Sequence, residues 1–163
     1  MRFVALALAL TLVGACATAG APKAAAPLDR ASEELDILEA VFRYQFAYHF
    51  SIRSADHYDC IFLSLPGKQD PPAAFLSRFA GQSPLVEPAS SAAPEPWDGI
   101  RDRVTGGRGV LFHVNRLRWI DDKAVEVDGG HYECSLGASD ALYQVERRSG
   151  AWVVVSRRTY GSA

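Results

Sequence analysis

Between residues 109 and 160, apolar and aromatic side chains recur at the two-residue spacing of β-strands, and short turn signals divide the run into four segments. The segments are 109–120, 124–136, 141–148 and 151–159, separated by Asp121-Asp122-Lys123, by Gly137 to Asp140 and by Ser149-Gly150. This pattern predicts a four-stranded antiparallel meander. The last turn is the most specific, because a two-residue hairpin loop needs positive φ and Gly150 supplies it. Trp152 to Val155 is continuously apolar, which predicts a strand covered on both faces near its start. In the second segment Val125 and Val127 have one parity and Tyr132, Cys134 and Leu136 the other, so a bulge at Gly129-Gly130 is expected to bring them to one face. A bulged, curved sheet needs a filler in its concavity, and a helix suits that role.

The sequence offers such a helix over residues 33–50. Ser32 is a candidate cap, and Glu33, Glu34 and Asp36 suit the positive end of a helix dipole. Leu35, Leu38, Val41, Phe42, Phe46 and His49 then repeat at three- and four-residue spacing, a face made for packing on a sheet. Residues 58–65 predict a fifth strand. Asp70-Pro71-Pro72 opens a short helix that buries Phe75, Leu76 and Phe79 and stops at Gly81. Residues 84–109, rich in Pro, Ala, Ser and Gly, predict a long loop, with Trp97 as a recognition aromatic or a lid. The expected class is α+β: a long N-terminal helix packed on a curved antiparallel sheet of about five strands, ending in a meander.

Ahead of this domain, Arg2 precedes an apolar run over 3–13, and Leu12-Val13-Gly14-Ala15-Cys16 follows. The run is short for a permanent membrane span and suits a signal-peptide core. The pentapeptide resembles the lipobox of bacterial lipoproteins, which implies removal of residues 1–15 and lipidation (palmitate or other acyl chains) of Cys16. Residues 17–28, rich in Ala and Pro, then read as a tether to a single domain over 29–163. The implied location is the cell envelope, facing the periplasm. Ala17 in place of an aspartate points to the outer membrane. With 17 basic and 19 acidic residues the charge is nearly balanced, which gives no electrostatic footprint for nucleic acid. Arg147, Arg148, Arg157 and Arg158 form at most a small basic patch on the terminal hairpin.

The succession of long helix, strand, short helix and meander, closing on the hairpin with Gly150 and Trp152, resembles NTF2-like (SnoaL-like) domains. A cystatin-like wrap, one helix held by a meander, is similar too. Either resemblance implies a helix on a curved sheet, and the first also implies a pocket.

Two stretches echo each other: His57-Tyr58-Asp59-Cys60 and His131-Tyr132-Glu133-Cys134. Outside the cytoplasm, Cys60 and Cys134 could form a disulfide or stay as buried thiols. His57, Asp59, His131 and Glu133 are the set a metal would use, although no metal and no cofactor is favoured. On antiparallel neighbouring strands with the cysteines opposed, the two histidines fall about 20 Å apart at ~3.3 Å per residue, so bridge and metal compete. Tyr48, His49, His113, Asn115, Trp119 and Tyr132 are the candidates to line a pocket between helix and sheet, where one histidine suffices for acid/base work.

The chain contains no phosphate loop, serine elbow or Cys-x-x-Cys pair. The expected activity is non-catalytic binding of an envelope partner or small ligand. The alternatives are an NTF2-like pocket enzyme, a small isomerase or hydrolase using a histidine and an acid, and a metal-binding envelope protein. A solid space between helix and sheet favours the first, and a hollow polar one the enzyme.

Overall fold

The computed structural model describes residues 29–95, 98–134 and 136–162. The expected signal peptide over 1–15, Cys16, the expected tether over 17–28 and Trp97 lie outside the described residues. The architecture is α+β, with one long helix on an open sheet of eight strands.

Helix α1 (Arg30–Ile52) begins ahead of Ser32, which falls in its first turn, and no side chain caps it. Its buried residues are Ile37, Leu38, Val41, Phe42, Gln45, Phe46 and His49, the stripe the spacing predicts. Strand β1 (Cys60–Ser64) is buried at every position. Ile61 and Leu63 join the core under α1, while Cys60 and Phe62 join a smaller core on the opposite face of the sheet. A short helix, α2 (Ala73–Leu76), with a 3-10 turn, buries Phe75 and Phe79 as expected. Asp70 is not its cap: its Oδ1 accepts the Ser90 amide at 2.9 Å.

The expected long loop is instead structured. It holds β2 (Leu85–Pro88), β3 (Ala92–Glu95) and β4 (Gly99–Asp102). These are the strands that the count of about five omits. At four residues each they are too short to show a two-residue period, and proline falls in β2 and β3, so their pairing comes from tertiary context.

Four long strands follow: β5 (Arg108–Trp119), β6 (Ala124–Cys134), β7 (Gly137–Arg148) and β8 (Ala151–Ser162). They form the predicted meander. The sheet order is β2-β1-β5-β6-β7-β8, with β4 on β5 and β3 on β4. The sheet is mixed rather than antiparallel, since β1 runs parallel to both β2 and β5. A parallel pair needs a crossover, which the α2 segment supplies between β1 and β2. The β7–β8 turn is the predicted one, with φ of 50° at Ser149 and 88° at Gly150. Residues 137–140 extend β7 rather than forming a loop.

Bulges decide which side chains face α1, and they lie elsewhere than the sequence suggests. The register of β5 against β6 shifts between Val114 and Arg116, so Asn115 is the extra residue and β6 runs unbroken through Gly129-Gly130. Before the bulge Val110, Phe112 and Val114 enter the main core; after it Leu117 and Trp119 do. Tyr132 accordingly faces away from Val125 and Val127, against the expectation that a bulge would unite them. In β8 only Trp152 of the apolar run is buried, and Val153 is 42% exposed.

Candidate functional site

The space between α1 and the sheet is filled by Phe46, His49 and Phe112, with the Phe112 ring 5.0 Å from Phe46 and 5.4 Å from His49. A hollow lies on the other face. There, a cavity of about 600 Å³ is floored by Ser64 of β1, by Leu111, His113, Val114 and Asn115 of β5, and by Tyr132 of β6. Its walls are Lys68 and Asp70 from the turn after β1, and Ala89 and Ser90 from the turn between β2 and β3. The Asp70–Ser90 hydrogen bond ties the two walls together.

One of the cavity's floor residues, His113, meets a carboxylate across an intervening strand. His113 pairs with Gly130, and Gly130 pairs with Asp140, so three strands are in register on one face. Because Gly130 has no side chain, His113 Nε2 reaches Asp140 Oδ1 at 2.9 Å above it. A Cβ at that position would meet the Ser139 carbonyl oxygen and lie 2.7 Å from Asp140 Oδ1. A carboxylate on one ring nitrogen fixes the tautomer and orientation of an imidazole, leaving the other nitrogen for a ligand's proton. Asn115 is likewise oriented, donating from Nδ2 to Asp128 at 2.9 Å.

A second polar cluster lies on the helix side of the sheet. His49, in the last turn of α1, is 1% exposed, and Glu133, near the end of β6, is 4% exposed. Tyr58 donates to Glu133 Oε2 at 2.7 Å, and its oxygen lies 3.3 Å from His49 Nε2. Glu133 Oε1 is 3.5 Å from His49 Nε2, 3.9 Å from His131 Nε2 and 3.6 Å from Arg53 Nε. Glu133 is the bulged residue where β6 shifts register against β7 between Tyr132 and Cys134. Desolvation among the aromatic rings, reinforced by His131, lowers the His49 pKa to about 4, and burial lowers that of His131 too.

The expected pocket set is therefore divided between faces. His113, Asn115 and Tyr132 line the far cavity. Trp119, carried to the helix side by the bulge at Asn115, donates to Glu34 and packs on Trp152. Tyr48 is exposed, with the Arg157 guanidinium 4.0 Å from its ring centre. Lys68 and Asp140 had no sequence signal, since Lys68 comes from the turn after β1 and Asp140 meets His113 only through cross-strand register; Gly130, expected as a bulge, instead provides the gap between them.

The echoed tetrapeptides do not sit on neighbouring strands either, because β5 lies between β1 and β6, although Tyr58 reaches Glu133 from the first to the second. Cys60 and Cys134 are free thiols, the first buried and the second half-buried. His57 is exposed in a 3-10 turn, and Asp59 Oδ2 accepts the Arg108 amide at 2.9 Å, so neither joins His131 and Glu133. His49 takes that place. Of the basic patch, Arg147 pairs with Glu33 and Arg148 with Glu146.

The lowered histidine pKa gives a signed expectation. The unfolded chain binds a proton at His49 below the ordinary pKa of 6.5, while the folded chain does so only near 4. Stability should be full above pH 6.5 and fall as pH drops from 6.5 towards 4, by on the order of 3 kcal/mol. Urea unfolding midpoints measured across this window for the wild type and His49→Gln check it, with a flatter profile expected in the variant.

No family model matches the chain, and no curated protein and no solved structure matches it. Among the described residues no helix is long and apolar enough to cross a membrane.

Proposed function

We propose that the chain is a lipid-anchored module of the bacterial cell envelope whose domain binds a small polar molecule on the sheet face away from α1. The observation that carries the ligand reading is the cavity of about 600 Å³ lined by His113, whose ring is held by Asp140. That volume is in the range of small-molecule sites, and its lining mixes apolar floor residues with a few placed polar groups. Lys68, His113, Asn115 and Tyr132 are the groups that would orient the ligand. The long helix laid across a bulged sheet supports kinship with the helix-on-curved-sheet domains, NTF2-like or cystatin-like.

The test uses Ala89, a half-buried wall residue outside both hydrophobic cores. A library of small polar fragments, screened by thermal shift, should yield binders to the wild type. Their stabilisation should vanish in Ala89→Trp, whose indole fills the cavity. Binders that stabilise Ala89→Trp equally would end the proposal.

The anchor rests on the Leu12-to-Cys16 motif. In cells fed an alkyne-tagged fatty acid, the wild type should take up the tag and Cys16→Ser should not, because the acyl chains that supply the membrane affinity are carried by that cysteine. A wild type that takes up no tag, or a Cys16→Ser variant tagged equally, contradicts the anchor.

A second reading, an acid/base enzyme, is favoured by one feature. The 2.9 Å His113–Asp140 contact is that of a base held by an orienting carboxylate. If a bound fragment is consumed, His113→Gln should abolish turnover while leaving binding within a few-fold.

A further inference from the structure

We propose that the buried cluster on the helix side is a binding site for a first-row transition-metal dication such as zinc, with His49, His131 and Glu133 as ligands and Tyr58 closing the fourth side. The site is separate from the far-face cavity, and no residue is shared between them.

The donors converge from three parts of the fold. His49 comes from the end of α1, Tyr58 from the segment before β1, and His131 and Glu133 from alternate positions of β6. One ligand atom from each of His49, His131 and Glu133 lies within 4.8 Å of the other two. His49 Nε2 and Glu133 Oε1 are already 3.5 Å apart, His131 Nε2 and Glu133 Oε1 3.9 Å. Ligands held about 2.0–2.1 Å from a tetrahedral ion are about 3.3 Å from one another, so these two pairs need to contract by only a few tenths of an ångström. Imidazole donors select zinc and its neighbours over magnesium or calcium, which prefer all-oxygen sets.

Two further observations favour a cation. Glu133 is nearly fully buried, and the cation closest to it, Arg53, has a side chain 51% exposed that can swing into solvent to open a path. The last turn of α1, carrying His49, presents the negative end of a 23-residue helix, where positive charge is stabilised.

His49 Nδ1 is buried with no hydrogen-bond partner. In zinc sites the second ring nitrogen usually donates to an outer acceptor, and loss of that acceptor typically weakens binding by 10–100-fold. Binding at His49 Nε2 is therefore expected to be saturable at one ion per chain, but weaker than at a site with a complete outer shell.

The experiment is titration of the full chain with cobalt(II) as a spectroscopic stand-in for zinc, followed by zinc competition and a thermal-shift readout. The wild type and His57→Gln should both take up one equivalent, with a visible tetrahedral absorption band and a rise in Tm that zinc reproduces. Glu133→Gln and His131→Gln should lose the band, and circular dichroism shows whether each is folded. His49→Gln should lose it too, but the other two variants decide the matter because His49 sits deepest in the core. Three results would overturn the proposal: no saturable uptake by the wild type, an undiminished band in folded Glu133→Gln and His131→Gln, or a sulfur-to-cobalt band that disappears in Cys60→Ser. The last would place the ion at Cys60, Glu87 and Asp102, among the described residues the other group of donors close enough to share one.

Discussion

Phe112→Ala is expected to destabilise the domain by about 3–5 kcal/mol, with a Tm lowered by roughly 10 °C or more. Phe112 is 1% exposed and lies where the last turns of α1 rest on β5 and β6. Its ring is 5.0 Å from that of Phe46, 5.4 Å from His49 and 6.4 Å from Phe50, all on α1, and 6.0 Å from His131 on β6. Truncation removes the transfer energy of a buried ring and leaves a void that four aromatic neighbours cannot easily collapse into. Chemical denaturation of the purified domain measures it. A loss below about 1 kcal/mol would mean that the helix does not rest on β5 at this point.

Gly130→Val should have an effect of similar size for the opposite reason, since it adds atoms where there is no room. A Cβ at Gly130 meets the Ser139 carbonyl of the paired strand, which is backbone and cannot rotate away. The β6–β7 ladder must open there, at a cost of about 3 kcal/mol or more, above the usual range for overpacking a core. The same atoms push Asp140 off His113, so fragment binding should weaken by a few-fold even at temperatures where the variant is folded. Asp140→Asn separates the two consequences: it keeps the ladder and weakens only the His113 contact. A Gly130→Val protein with wild-type stability and wild-type fragment binding would show that the two groups do not meet over that strand.

These two residues also show where the sequence is informative. Phe112 lies in an alternating run that any strand reading finds, and the stripe from Leu38 to His49 on α1 is just as plain, so the helix, the meander and the Ser149-Gly150 turn are legible. Period-two and period-3.6 patterns report which side of an element is apolar, and that suffices for long elements with one buried face. Strands β2, β3 and β4 are only four residues each, too short to carry a period.

The candidate sites fail to read out for a related reason. Parity places His113, Asn115 and Trp119 on one face, but a single inserted residue, Asn115, reverses the faces after Val114 and sends Trp119 to the helix side. Nothing in the composition of 108–119 marks that residue as the bulge. Likewise the resemblance between residues 57–60 and 131–134 suggests partner strands, whereas the sheet interposes β5 between them. What replaces His57 in the metal-like cluster is His49, a residue whose place in the apolar helix stripe makes it look like core. It is core, and it is also a donor facing Glu133.

One sheet thus carries two chemistries: a filled, aromatic, histidine-containing core beneath α1, and an open cavity with an oriented imidazole on the reverse face. The division can be read directly from the histidine side-chain resonances of the isotope-labelled protein, followed by NMR during addition of a fragment that Ala89→Trp fails to bind. Shifts confined to the His113 ring, with the His49 and His131 rings unmoved, are the predicted result. Movement of His49 and His131 with His113 silent would contradict it and place the ligand under the helix.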